Sequence, residues 1–143
     1  MRIALDFDGT IVEHKYPEIG EERPMAVSTI KKLMEEGHEF ILWSVREGEL
    51  LDAAVKWCED RGIRFYAVNA NHEGEKPGDE GYTRKVLCDM VIDDRNFGGL
   101  PSWGVIYQVI HKRMTLADYI HREERARFEA LQPEKPKKKH WWS

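Results

Sequence analysis

The sequence predicts an α/β domain in which a mostly parallel, five-stranded sheet is flanked by helices. Short apolar runs of strand length alternate with segments whose apolar residues recur at helical spacing. The strand runs are nearly continuous rather than alternating, as strands covered on both faces require. Glycine, proline and asparagine punctuate the boundaries. The 143 residues, 41% hydrophobic and 34% charged, suit one globular domain, assigned to 1–132, followed by a flexible basic tail at 133–143.

Ile3 to Phe7 is the first strand, an apolar run carrying a single Asp, and Asp8-Gly9 turns the chain. Ile11 to Arg23 is polar and irregular. Pro24 opens a helix carrying Val27, Ile30, Leu33 and Met34 on one face, with Gly37 at its C′ position. Phe40 to Trp43 is the second strand. Leu50, Leu51, Ala54, Trp57 and Cys58 form the stripe of the next helix, which Gly62 ends. Phe65 to Val68 is the third strand, Asn69 to Gly81 a loop, and Met90 to Ile92 the fourth strand. Val105 to Ile110 is assigned as the fifth. A last helix starts at Thr115, where Thr115-x-x-Asp118 resembles a capping box, and Leu116, Ile120, Phe128 and Leu131 suggest one apolar face.

A formal net charge of −4 argues against a general nucleic-acid or membrane-surface binder. Two cysteines without a Cys-x-x-Cys spacing argue against a disulfide framework or zinc ribbon and point to a reducing, cytoplasmic setting. Asp6 interrupts the first apolar run, so neither a signal peptide nor a membrane span is expected.

In a parallel sheet, ligands bind beyond the carboxyl ends of the strands. The first strand ends in Asp6 and Asp8, the second in Ser44, the fourth in Asp93 and Asp94. Three distant segments would thus deliver four carboxylates and a hydroxyl to one crevice. Two unit charges about 4 Å apart repel by roughly 4 kcal/mol at an effective dielectric near 20. Protons or cations must relieve such a cluster. A hard divalent ion with oxygen ligands fits best, magnesium ahead of calcium. Asp8-Gly9 alone would read as a turn, and Ser44-x-x-Glu47 as a capping box for the second helix. Asp6 is harder to dismiss, because an Asp within an apolar strand needs a reason.

These residues resemble an ordered set of motifs. Ala4-Leu-Asp6-Phe-Asp8-Gly-Thr10-Ile-Val12 is similar to the first signature of the haloacid dehalogenase (HAD) superfamily. Ile41-Leu-Trp-Ser44 resembles the second motif, Lys85 the third, and Val91-Ile-Asp93-Asp94 the fourth. The resemblance implies a Rossmann-like HAD fold and a magnesium-dependent phosphatase that hydrolyses a phosphomonoester through an aspartyl-phosphate on Asp6. It implies that Asp8 is the acid and base and that Ser44 and Lys85 hold the phosphoryl oxygens. The metal (Mg2+) would be bound by Asp6, Asp93, Asp94 and the backbone carbonyl of Asp8. Asp6 should stay ionised beside the metal and Lys85. Arg84 adjoins Lys85 and competes for the basic role. Thr10, His14, Arg46 and Arg95 are candidate substrate contacts; structural ion pairs are an equal alternative for the two arginines. Glu13, Lys15 and Tyr16 of the flap join His14 as candidates for leaving-group contacts.

The intervals after the first motif and between the second and third are too short for the cap domains of many HAD enzymes, so a capless, open site is expected. The substrate expected is a small phosphorylated metabolite, such as a sugar phosphate or nucleotide, though an open site would equally admit a phosphorylated macromolecule. No specific nucleic-acid or membrane partner is expected. A homo-oligomer would close the site, but no motif marks one. The alternatives are a non-catalytic phosphate- or metal-binding module and a signalling domain of receiver type. A receiver orders its motifs differently, with Lys last. Cys58, on an apolar stripe, reads as core rather than nucleophile, and the six histidines show no zinc-site spacing.

Overall fold

A computed structural model of the chain describes residues 1–134. The tail expected at 133–143 therefore lies, from Lys135 onward, outside the described residues. The chain divides into two compact units, Met1–Gln108 and Val109–Ser143.

The first unit holds a parallel sheet flanked by helices. Its strands are β1 (Arg2–Leu5), β2 (Glu39–Leu42), β3 (Ala67–Val68) and β4 (Met90–Ile92), in the order β3-β2-β1-β4. Leu5 is in register with Leu42 on one side and Ile92 on the other, and Leu42 is in register with Val68. Each ladder runs one residue further, through Asp6 N–H to Ile92 O, Trp43 N–H to Leu5 O and Asn69 N–H to Leu42 O. The carboxyl ends of all four strands therefore share one edge. Ile3, Ala4, Leu5, Phe40, Ile41 and Leu42 are fully buried, as consecutive residues in strands covered on both faces should be.

Helix α1 (Ala26–Glu35) follows β1 after the irregular segment 6–25, and buries Ala26, Thr29, Ile30 and Leu33. Gly37, at φ 94°, closes it as expected: its N–H reaches Met34 O while His38 N–H reaches Leu33 O, the paired bonds of a Schellman motif. Helix α2 (Gly48–Glu59) follows β2 and buries Ala54 and Cys58. Residues 69–89, between β3 and β4, contain no helix. They are braced by the buried Asn71, which donates to Glu75 and Thr83 and accepts from Leu87 N–H.

The sheet has four strands, not the five expected. Val105 to Ile110 lies inside helix α3 (Trp103–His111), which runs through the boundary of the two units. The Ser102 hydroxyl accepts from Val105 N–H and the Ser102 carbonyl from Ile106 N–H, starting a helix before the apolar run can extend. Burial at Trp103, Ile106, Val109 and Ile110 follows a helical period, not alternation.

In the second unit, helix α4 (Leu116–Ala130) carries the expected capping box. Thr115 Oγ1 accepts from Asp118 N–H at 3.1 Å, and Asp118 accepts from Thr115 N–H. The apolar face expected along it is not buried: Ile120, Phe128 and Leu131 are exposed. No helix among the described residues is long and apolar enough to cross a membrane.

Candidate functional site

At the carboxyl edge of the sheet lies an open crevice of about 470 Å³ lined by Asp6, Asp8, His14, Tyr16, Trp43, Ser44, Val45, Asp93 and Arg95. The register explains the convergence. Asp6 follows Leu5 at the end of β1 and Asp93 follows Ile92 at the end of β4, and these are neighbouring strands. Asp6, Asp93 and Asp94 each place a carboxylate oxygen within 4.8 Å of the others.

Thr10 organises this cluster. Its hydroxyl donates to Asp6 Oδ2 at 2.9 Å and accepts from Asp94 N–H at 3.0 Å, while Trp103 Nε1 donates to its carbonyl. Thr10, a candidate substrate contact from sequence, is fully buried and does not line the crevice; its hydroxyl is hydrogen-bonded to the carboxylate cluster instead. Gly9, at φ 84°, lies so close to Asp94 that a Cβ there would overlap the carboxylate. The glycine of the first motif is thus where an acid of the fourth approaches the backbone.

Asp6 holds its proton up to about pH 7. Burial is the main cause, with the Asp94 hydrogen bond and the charge of Asp93 adding to it. Asp94 moves the other way: burial pushes it up, but the hydrogen bonds from Asp6, Asp93, its own backbone and Thr10 outweigh that and hold it below the ordinary carboxylate range. The two carboxyls titrate as a coupled pair, one pushed up and the other down. The expected Asp6, ionised beside metal and Lys85, concerns the metal-bound state; without the metal, burial and the neighbouring acids raise its proton affinity. The donor set fits a hard divalent cation: all ligands are oxygens, and crowding raises proton affinity where a cation would relieve it.

The Asp8 side chain lies outside the acidic cluster, in an ion pair with Arg46. Its carboxylate, 8% exposed, receives Arg46 Nε on Oδ2 at 2.7 Å and Nη2 on Oδ1 at 2.8 Å. The remaining Arg46 donors reach the carbonyls of Pro17, Glu18 and Leu50. All five N–H groups of this guanidinium are engaged, and the residue is 2% exposed. Arg46 is therefore not the substrate contact expected from sequence; the ion-pair alternative holds. Its guanidinium also sits 5.4 Å from the Phe7 ring centre and 5.2 Å from that of Tyr16. One side chain thereby fastens the flap at 16–18 to the loop after β1 and to the first turn of α2.

Ser44 lines the crevice as expected, but it does not cap α2. Glu47 occupies the N-cap, and Ser44 Oγ accepts from Arg46 N–H at 3.1 Å. Ser44 N–H donates to Asn69 Oδ1 at 2.8 Å. Asn69, expected only as the start of a loop at 69–81, was not singled out as a site residue, although the strand-end rule applies to it: it follows β3 with a left-handed φ of 49°. Trp43 and Val45, flanking Ser44, were also missed. His14 and Arg95 line the crevice as expected, and Arg95 N–H is held by Asp93 Oδ1. Lys85 does not line it, nor does Arg84; both are exposed on the irregular segment before β4. Cys58 is core, its thiol pushed up to about 12 by burial.

No family model matches the chain, and no curated protein matches it. A solved structure, that of the conserved protein coded by locus from Bacteroides thetaiotaomicron, is 57% identical, with a TM-score of 0.78, over 83% of this chain and 96% of that one. With that identity across most of both chains, the protein belongs to the family of that conserved Bacteroides thetaiotaomicron protein.

Proposed function

We propose that the protein is a magnesium-dependent phosphohydrolase of HAD type, with Asp6 as nucleophile. The observation that carries this reading is the convergence of Asp6, Asp93 and Asp94, from the ends of adjacent strands, on a crevice that also exposes Ser44 and Arg95. Asp6, Asp93 and Asp94 would hold the cation, with the backbone carbonyl of Asp8. When bound, it shields the charge between an anionic nucleophile and an anionic phosphate.

Asp6 attacks phosphorus, forming the acyl-phosphate bond as the ester P–O bond breaks. Asp8 gives the departing alkoxide its proton, then takes one from the water that attacks the same phosphorus, releasing phosphate and restoring Asp6. Both Asp8 oxygens receive guanidinium N–H groups, and the second lone pair on each leaves room for Asp8 to take a proton from solvent before the P–O bond breaks and to hand it to the alkoxide. Ser44 and Arg95 donate to the phosphoryl oxygens.

The test is phosphate release from p-nitrophenyl phosphate. Magnesium-dependent turnover that chelator removes and Asp6→Asn abolishes is expected. One observation favours the second reading, binding without turnover: Lys85, the expected phosphoryl cation, lies outside the crevice lining. Saturable, magnesium-dependent binding of beryllium fluoride without phosphate release from any monoester would favour that binding module.

A further inference from the structure

Resting on the phosphohydrolase reading, we propose that the crevice carries an aromatic leaving-group subsite, formed by Tyr16, Trp43 and Val45, that selects phosphomonoesters bearing a planar ring such as a nucleobase.

These three side chains line a crevice whose other lining residues are three aspartates, Ser44, Arg95 and His14. Val45 is 82% exposed and Tyr16 49% exposed, so both present apolar surface to water beside the reacting groups. The two aromatic rings are held firmly. The Tyr16 ring lies against the guanidinium of Arg46, which five hydrogen bonds fix in place. Trp43 packs against the buried cluster of Ala4, Ile41, Ala67 and Val86 while still lining the crevice. Preformed aromatic surfaces lose little entropy on stacking a flat ring.

The polar groups argue the same way. A polyol leaving group needs a donor or acceptor for each hydroxyl, or it loses hydrogen bonds made to water. Here the carboxylates serve the cation and proton transfer, and Ser44 and Arg95 serve the phosphoryl group. His14 and the Tyr16 hydroxyl remain among the lining residues. At about 470 Å³ the crevice has the size of a small-molecule site.

Adenosine 5′-monophosphate and ribose 5-phosphate provide the comparison, because both release a primary alcohol and differ in the base. With magnesium, kcat/KM for the nucleotide should exceed that for ribose 5-phosphate by at least about fivefold, the lower range for one base stacked on an aromatic side chain. Tyr16→Ala and the surface change Val45→Asp should each bring the ratio toward one, whereas Tyr16→Phe should keep it. Each ratio is internal to one preparation, so partial unfolding does not alter it. Turnover of both esters within twofold of each other, or a ratio unmoved by Tyr16→Ala and Val45→Asp, would overturn the subsite while leaving the phosphatase reading intact. Absence of turnover on these esters and on p-nitrophenyl phosphate overturns both.

Discussion

Asp6 and Asp8 lie two residues apart in one motif, yet their surroundings make them chemically unlike. Asp6 faces other acids and is relieved by a proton; Asp8 faces a saturated arginine. In the unfolded chain Asp6 titrates near 3.8, and in the fold near 7. The folded state therefore binds this proton more tightly. The stability it contributes is fully present below the unfolded value and disappears as pH rises through about 7. Denaturant midpoints of chelator-treated protein should fall between pH 5 and 8, and Asp6→Asn should remove that component. The one-proton limit is about 1.4 kcal/mol per pH unit, and screening at this half-exposed site brings the slope below it. Asp94, shifted downward, contributes its dependence below the ordinary carboxylate range, outside this interval.

Among elements, the flap, the loop after β1 and the start of α2 meet at one guanidinium. Removing it by Arg46→Met leaves the Asp8 carboxylate buried without its ion pair and strips a donor from three carbonyls. Breaking a buried pair from one side costs about 3–5 kcal/mol. Urea titration should show a loss of that order, with a smaller loss for Arg46→Lys, which keeps charge but not the planar fork. A loss no larger than that of a surface substitution would show that the flap is held otherwise. Element boundaries also explain the sequence misreading at 105–110. Apolar composition there suits strand or helix, and Ser102 decides it through two hydrogen bonds. Ser44-x-x-Glu47 errs in the opposite sense: the pattern is present, but the Ser44 hydroxyl accepts from Arg46 N–H and the helix begins after Glu47.

Across the whole molecule, the proposed cation would join groups separated by more than eighty residues of chain, at the ends of β1 and β4. It would bind the folded chain and not the unfolded one. At a hundredfold excess over its Kd, magnesium should therefore stabilise the protein by about 2.7 kcal/mol. Thermal melts with and without magnesium should show an upward shift that grows from pH 6 to pH 8, as the Asp6 proton ceases to compete. Asp6→Asn and Asp93→Asn should each abolish the shift. A Tm indifferent to magnesium in the native protein would sink the metal site.

The sequence by itself determined the parallel α/β arrangement, the positions of Asp6, Ser44, Asp93 and Asp94 at strand ends, and the glycine and threonine signals that bound α1 and α4. These follow from local periodicity and turn chemistry, which act over a few residues, and from one topological rule that holds for any parallel sheet. Tertiary structure alone decided that Arg46 turns inward to Asp8, that Thr10 is buried between two acids, that Lys85 lies outside the crevice and that Trp43, Val45 and Asn69 belong to the site. Those outcomes depend on which charged and polar groups meet across distant segments, and a buried donor or acceptor takes whatever partner the packing brings within reach.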